Sequence, residues 1–132
     1  MTHRTKARNA GFTLVELLIV IAIVGILAAV MIPAIVASKT RGYNLAAQTC
    51  ASSLAKAANI YWINNISAPG YPAPSALTAD VSTYGTQQCL LPGLTITGIA
   101  ATATHFEYEV KHQDGNRVYT INEVQLIITK AP

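Results

Sequence analysis

Charge is scarce in this chain. Its 132 residues include nine Lys or Arg and six Asp or Glu, and none of these lies between Leu17 and Ala37. Three of the basic residues, Arg4, Lys6 and Arg8, fall within the first eleven positions. The remainder holds six basic and six acidic side chains and is formally neutral. The overall charge of +3 therefore gives no support to direct nucleic-acid binding, and only a local patch at Lys39 and Arg41 stays basic. Catalytic groupings are lacking too. No Ser/His/Asp or Cys/His set has supporting spacing, so nothing points to an enzyme or a cofactor. His105 and His112 flank one alternating segment at an odd separation, which sends them to opposite faces and argues against a shared metal.

The chain does have a long apolar run. The 21 residues from Leu17 to Ala37 rise roughly 30 Å as a helix, the thickness of a bilayer's hydrocarbon core. Glu16 stands at its start, where a carboxylate costs on the order of 2.5–3.5 kcal/mol on insertion scales. The basic, acid-free stretch before it resembles the positive region of an export signal and predicts a cytoplasmic N-terminus. An ordinary secretory signal has a shorter apolar region. Ala28-Ala29-Val30 is a weak cleavage match, and a cut there would leave an apolar stub.

The string Gly11-Phe12-Thr13-Leu14-Val15-Glu16-Leu17-Leu18-Ile19-Val20-Ile21-Ala22 resembles the class III signal of type IV pilins. The match continues through Gly25-Ile26-Leu27-Ala28-Ala29-Val30 and Ile32-Pro33, about a third of the chain. The resemblance implies a basic leader, residues 1–11, that a prepilin peptidase removes between Gly11 and Phe12 before methylating the new Phe12 amine. It implies an α+β pilin-like fold: a long N-terminal helix, its hydrophobic half protruding and its amphipathic half packed on a four-stranded antiparallel sheet. It further implies a subunit held in the inner membrane and polymerised by inner-membrane pilus machinery into a surface filament. Adhesion, twitching motility and DNA uptake are the associated roles. A pseudopilin of a type II secretion system and a minor pilin share the same signal. A membrane-anchored binding protein that never polymerises is the alternative from another class.

Residues 12–37 are apolar all round, suited to lipid or to the core of a helical assembly. From residue 38 to 64 the pattern becomes one-sided, with Ala47, Ala51, Leu54, Ala58, Tyr61 and Trp62 at steps of three and four. Asn64-Asn65 and Ala68-Pro69-Gly70 supply a stop. Pro33 has no N–H for the Ala29 carbonyl, which predicts a kink or an opened turn. With Gly25 it marks a stretch able to unwind when the helix leaves lipid and the filament extends, and Gly42 is a further candidate bend.

Residues 38–132 form the expected head: the amphipathic helix, a loop over 65–92 and an antiparallel sheet over 94–130. Phe106-Glu107-Tyr108-Glu109-Val110-Lys111 alternates as a half-buried strand with Phe106, Tyr108 and Val110 inward. Gln113-Asp114-Gly115-Asn116 is a hairpin turn. Cys50 and Cys89, in a domain exported to an oxidising compartment, are expected to bridge and to pin the 65–92 segment to the helix. Many pilins instead bracket a C-terminal loop with their bridge, so that family feature does not transfer. Asn65-Ile66-Ser67 fits a glycosylation sequon, and Tyr61-Trp62 reads as helix-to-sheet packing.

Between the charges of Phe12 and Glu16 lies the expected assembly chemistry. Cleavage leaves an ammonium on Phe12, and in an apolar bundle a neighbour's Glu16 compensates it; an intrachain contact within the first turn, where Glu also favours the positive helix N-terminus, is a compatible rival. A sliding helix would leave both groups unpaired, so the pair also sets axial register.

Overall fold

The computed structural model describes residues 12–67 and 70–130. The leader with its cleavage residue Gly11, and the Ala68-Pro69 part of the helix stop, lie outside the described residues. The chain divides after Val36 into two units.

In the first unit, helix α1 begins at Leu14. Its apolar side chains are exposed, Leu14 and Val30 by more than 70%, as expected of a helix whose solvent is lipid or other helices. It is the one described helix long and apolar enough to cross a membrane. α1 runs from Leu14 to Asn64 and is helical throughout, including Gly25, Pro33 and Gly42. The opened turn expected at Pro33 is therefore not a feature of this conformation.

In the second unit, the C-terminal half of α1 packs on a sheet through a stripe of small residues. Ala47, Cys50, Ala51, Leu54, Ala57 and Ala58 are all fully buried. The larger inward side chains come from the strands: Phe106, Tyr108, Val110, Tyr119 and Ile121. The stripe ends sooner than periodicity suggests, because Trp62 stays 38% exposed and stacks on Tyr71.

Strands β1 (Leu94–Ala101), β2 (Phe106–His112), β3 (Arg117–Asn122) and β4 (Leu126–Lys130) form an antiparallel meander in the order β1-β2-β3-β4. β2 buries every second residue from Phe106 to His112, the pattern of a central strand with one face on a core. β4 is an edge strand exposed along its whole length. Gly98 sits where β1 is irregular against β2, and a Cβ there would come within 2.9 Å of the Pro74 ring.

The connection over 65–92, expected as a loop, holds three short helical segments. These are α2 (Pro74–Ala79), α3 (Val81–Tyr84) and a 3-10 turn over Gln87–Leu90. Local signals explain each boundary. Pro74 opens α2, where its missing N–H is no loss. The Asp80 carboxylate accepts from the Thr83 N–H at 3.2 Å and from the Ser82 hydroxyl at 2.9 Å; the Thr83 side chain first, then the Ser82 hydroxyl and the Thr83 N–H, hold its carboxyl below the usual range. Gly85, with φ +67°, closes α3 in the left-handed conformation. Cys50 and Cys89 form a disulfide that ties this segment to α1.

Tyr108 is fully buried, and its hydroxyl donates to the Pro72 carbonyl. Burial, reinforced by the nearby Tyr71, pushes its pKa from 10.0 up to about 12. A folded-state pKa above the unfolded one means the folded chain holds the proton more tightly. This stabilisation is complete below pH 10 and lost as pH rises towards 12. Tyr108→Phe is expected to cost about 1–3 kcal/mol at neutral pH, because Pro72 loses its buried donor. The gap between wild type and variant should narrow in denaturant titrations above pH 10. A constant gap across that range would exclude Tyr108 as its source.

Candidate assembly site at the start of the apolar helix

Thr13 precedes the first helical residue and Glu16 is the third residue of α1. The Thr13 N–H donates to Glu16 Oε2 at 2.9 Å, and the Thr13 hydroxyl donates to the same oxygen at 2.7 Å. In return the Glu16 N–H donates to Thr13 Oγ1 at 3.2 Å. This reciprocal pair is a capping box, which satisfies backbone donors that the first helical turn leaves without partners. The carboxylate is thus turned back towards the helix N-terminus, where the backbone dipole favours negative charge. Phe12 is adjacent in sequence and 77% exposed. The structure therefore brings Glu16 to the end of the helix where cleavage would create the Phe12 amine. The Thr-x-x-Glu spacing that signals the cap was present in the sequence, and Thr13 is the residue that charge-based reading overlooks.

Gly25 and Pro33 lie further along the same exposed helix. A Cβ on Gly25 would meet nothing within 4 Å, so no contact within the chain requires a glycine there.

Midway along α1, Asn44 is buried and joins the helix to the β2–β3 turn. Its amide donates to Asn116 Oδ1 at 2.7 Å, and its carbonyl oxygen accepts from the Asn116 N–H at 3.0 Å. Asn44→Ala would strand the Asn116 backbone donor and is expected to cost about 1–3 kcal/mol in thermal unfolding. An unchanged melting temperature would show that water replaces the bond.

His105 and His112 serve different neighbours. His105 Nδ1 lies 2.8 Å from Glu123 Oε1, a hydrogen bond that holds the Glu123 carboxyl below the usual range. His112 is buried, stacks on Tyr43 at 4.4 Å, and approaches the Pro92 carbonyl at 3.2 Å. Its ring also explains Gly93, where a Cβ would lie 2.8 Å from the imidazole and φ is +85°. Among the described residues no cluster of three or more His, Cys, Asp or Glu is placed to hold a metal. The Asn65 side-chain amide of the sequon donates to the Tyr61 carbonyl at 2.9 Å. Tyr61 faces Tyr84 and Trp62 faces Tyr71, both as packing pairs.

A long helix opened by a Thr–Glu cap and packed through its second half on a four-stranded meander defines a pilin-like α+β protein. Residues 6–32 match the family model of the prokaryotic N-terminal methylation motif. The chain is similar to the type IV wide pilus major component PilA4 of Thermus thermophilus, 48% identical over 59 residues. That match covers 44% of this chain and 45% of the relative. It is also similar to the type IV major pilin protein PilA of Myxococcus xanthus, 50% identical over 46 residues, covering 35% of this chain and 21% of the relative. The chain thus spans less than half the length of either relative.

Proposed function

We propose that this chain is a structural subunit of a type IV pilus. The peptidase removes residues 1–11 after Gly11, the Phe12 amine is methylated, and residues 12–37 hold the subunit in the inner membrane until assembly. The observation that carries this reading is Glu16: one carboxylate, turned to the N-terminal end of an otherwise uncharged, exposed apolar helix. In the filament it pairs with the Phe12 ammonium of a neighbouring subunit, recruiting it and setting its register. Gly25 and Pro33 supply a segment that opens under extension; the open space around Gly25 agrees with a role outside the folded monomer. The polymer is a repeated contact without closure. Adhesion through many weak sites on one fibre is the associated role, with twitching motility and DNA uptake if the fibre retracts.

Mass spectrometry of sheared surface filaments tests this directly. The expected species begins at methylated Phe12 and is two hydrogens light for the Cys50–Cys89 bridge. Filaments lacking the chain, with the processed form confined to membranes, would instead assign a pseudopilin or minor pilin. An intact Met1 in the membrane fraction would leave a simple anchor and remove the assembly role.

A further inference from the structure

We propose that the head carries a binding groove for the headgroup of an anionic phospholipid, formed jointly by α1 and the ends of β3 and β4. The proposal rests on the reading that α1 anchors the chain in a membrane.

Two adjoining hollows, of about 670 and 480 Å³, share Asn116 and Arg117. Arg41 lines the first from the helix, and Lys130 lines the second from β4. Arg117 and Lys130 are direct cross-strand partners, and like charges placed opposite one another destabilise a sheet. The ion pairs among the described residues of the head are His105–Glu123 and His112–Asp114, so no described carboxylate neutralises any of the three cations. No carboxylate lines either hollow. An external anion held between these cations would relieve the repulsion.

Place and lining select the anion. Arg41 comes four residues after the apolar run ends at Ala37, about 6 Å along the helix. That is the depth at which a membrane-anchored helix meets lipid phosphates, and a cation within a Debye length of an anionic surface is attracted to it. The groove also has apolar lining from Leu45 and Ile128, both about half exposed. A basic rim beside apolar lining suits a lipid, whereas nucleic acid would call for further cations that the formally neutral stretch after residue 11 lacks. Sequence alone places only Lys39 and Arg41 near the bilayer. The fold brings Arg117 and Lys130 to the same groove.

The full-length chain would be placed in phosphatidylcholine nanodiscs with and without phosphatidylglycerol. Arginine modification by phenylglyoxal would then be followed residue by residue by mass spectrometry. Labelling of Arg117 is expected to slow roughly fivefold when phosphatidylglycerol is present. Arg117→Ala with Lys130→Ala, both exposed positions, should weaken the corresponding protection of Arg41. Equal labelling of Arg117 in the two discs would overturn the groove. So would equal protection by inorganic phosphate in phosphatidylcholine discs, which would show a free-anion site, or protection only by an added oligonucleotide. A chain that never enters the discs would fail the anchoring reading, and the proposal with it, distinguishable because incorporation is scored separately.

Discussion

Glu16→Gln is expected to abolish surface filaments while leaving the chain in the membrane. Glutamine at this position can still accept from Thr13, so the capping box survives and only the charge is removed. A neighbour's Phe12 ammonium would then be buried without its counter-charge. Breaking a buried pair from one side costs about 3–5 kcal/mol, and each 1.4 kcal/mol is about tenfold in an equilibrium. Filament yield should therefore fall by at least about a hundredfold at unchanged membrane content. Thr13→Ala makes the opposite separation: the charge stays and the cap loses its side chain. The expected cost is about 1 kcal/mol, and the filament defect should be mild. Abundant filaments from Glu16→Gln would assign the carboxylate to helix capping alone. Equal defects in the two variants would make the cap, and not the ion pair, the requirement for assembly.

Loss of the disulfide should have the largest effect on the head. Cys50 is fully buried on α1, and Cys89 is nearly so in the turn that follows α3. The bridge closes a loop with a sequence separation of 39. In the chain-entropy model such a cross-link contributes about 4 kcal/mol. For a domain of this size each kcal/mol moves the melting temperature by about 4–8 °C. Reduction, or paired Cys50→Ser and Cys89→Ser substitutions, should lower the melting temperature by roughly 15–30 °C. The segment between the cysteines should lose hydrogen-exchange protection first, because its helices are too short to persist without a tether. A shift of only a few degrees would mean that core residues such as Leu77 and Cys89 hold the segment without the covalent bond.

Legibility differed from element to element. α1 and β2 are readable because their patterns are local: an unbroken apolar run, then steps of three and four, then strict alternation over Phe106–Val110. The helices of the 65–92 segment were missed even though Pro74, Asp80 and Gly85 mark their ends. Segments of four to six residues are too short for a period to register, and an Ala, Ser and Thr composition suits a loop equally well. A first-turn contact of Glu16 within the chain was expected with the positive helix N-terminus, and Thr13 went unnamed because charge, not a hydroxyl three residues earlier, guided the search for a partner. At Pro33 the ring argument anticipated a kink or an opened turn; α1 stays helical there, which removes the opened turn and leaves the kink. Proline removes one hydrogen bond, and the bonds of the flanking turns can carry the helix across the gap.

By itself the sequence determined the membrane-length helix, its single carboxylate, the prepilin motif and the inward faces of the sheet. Each depends on residues within one or two turns of one another, where backbone geometry alone sets which side chains share a face. Tertiary structure decided which distant residues meet. It set Asn44 on Asn116 and Tyr43 on His112, and it brought Arg41, Arg117 and Lys130 to one groove. The Tyr43–His112 and Asn44–Asn116 contacts span 69 and 72 positions. They follow from how the buried face of α1 docks on the sheet, a packing of whole elements that no local period encodes.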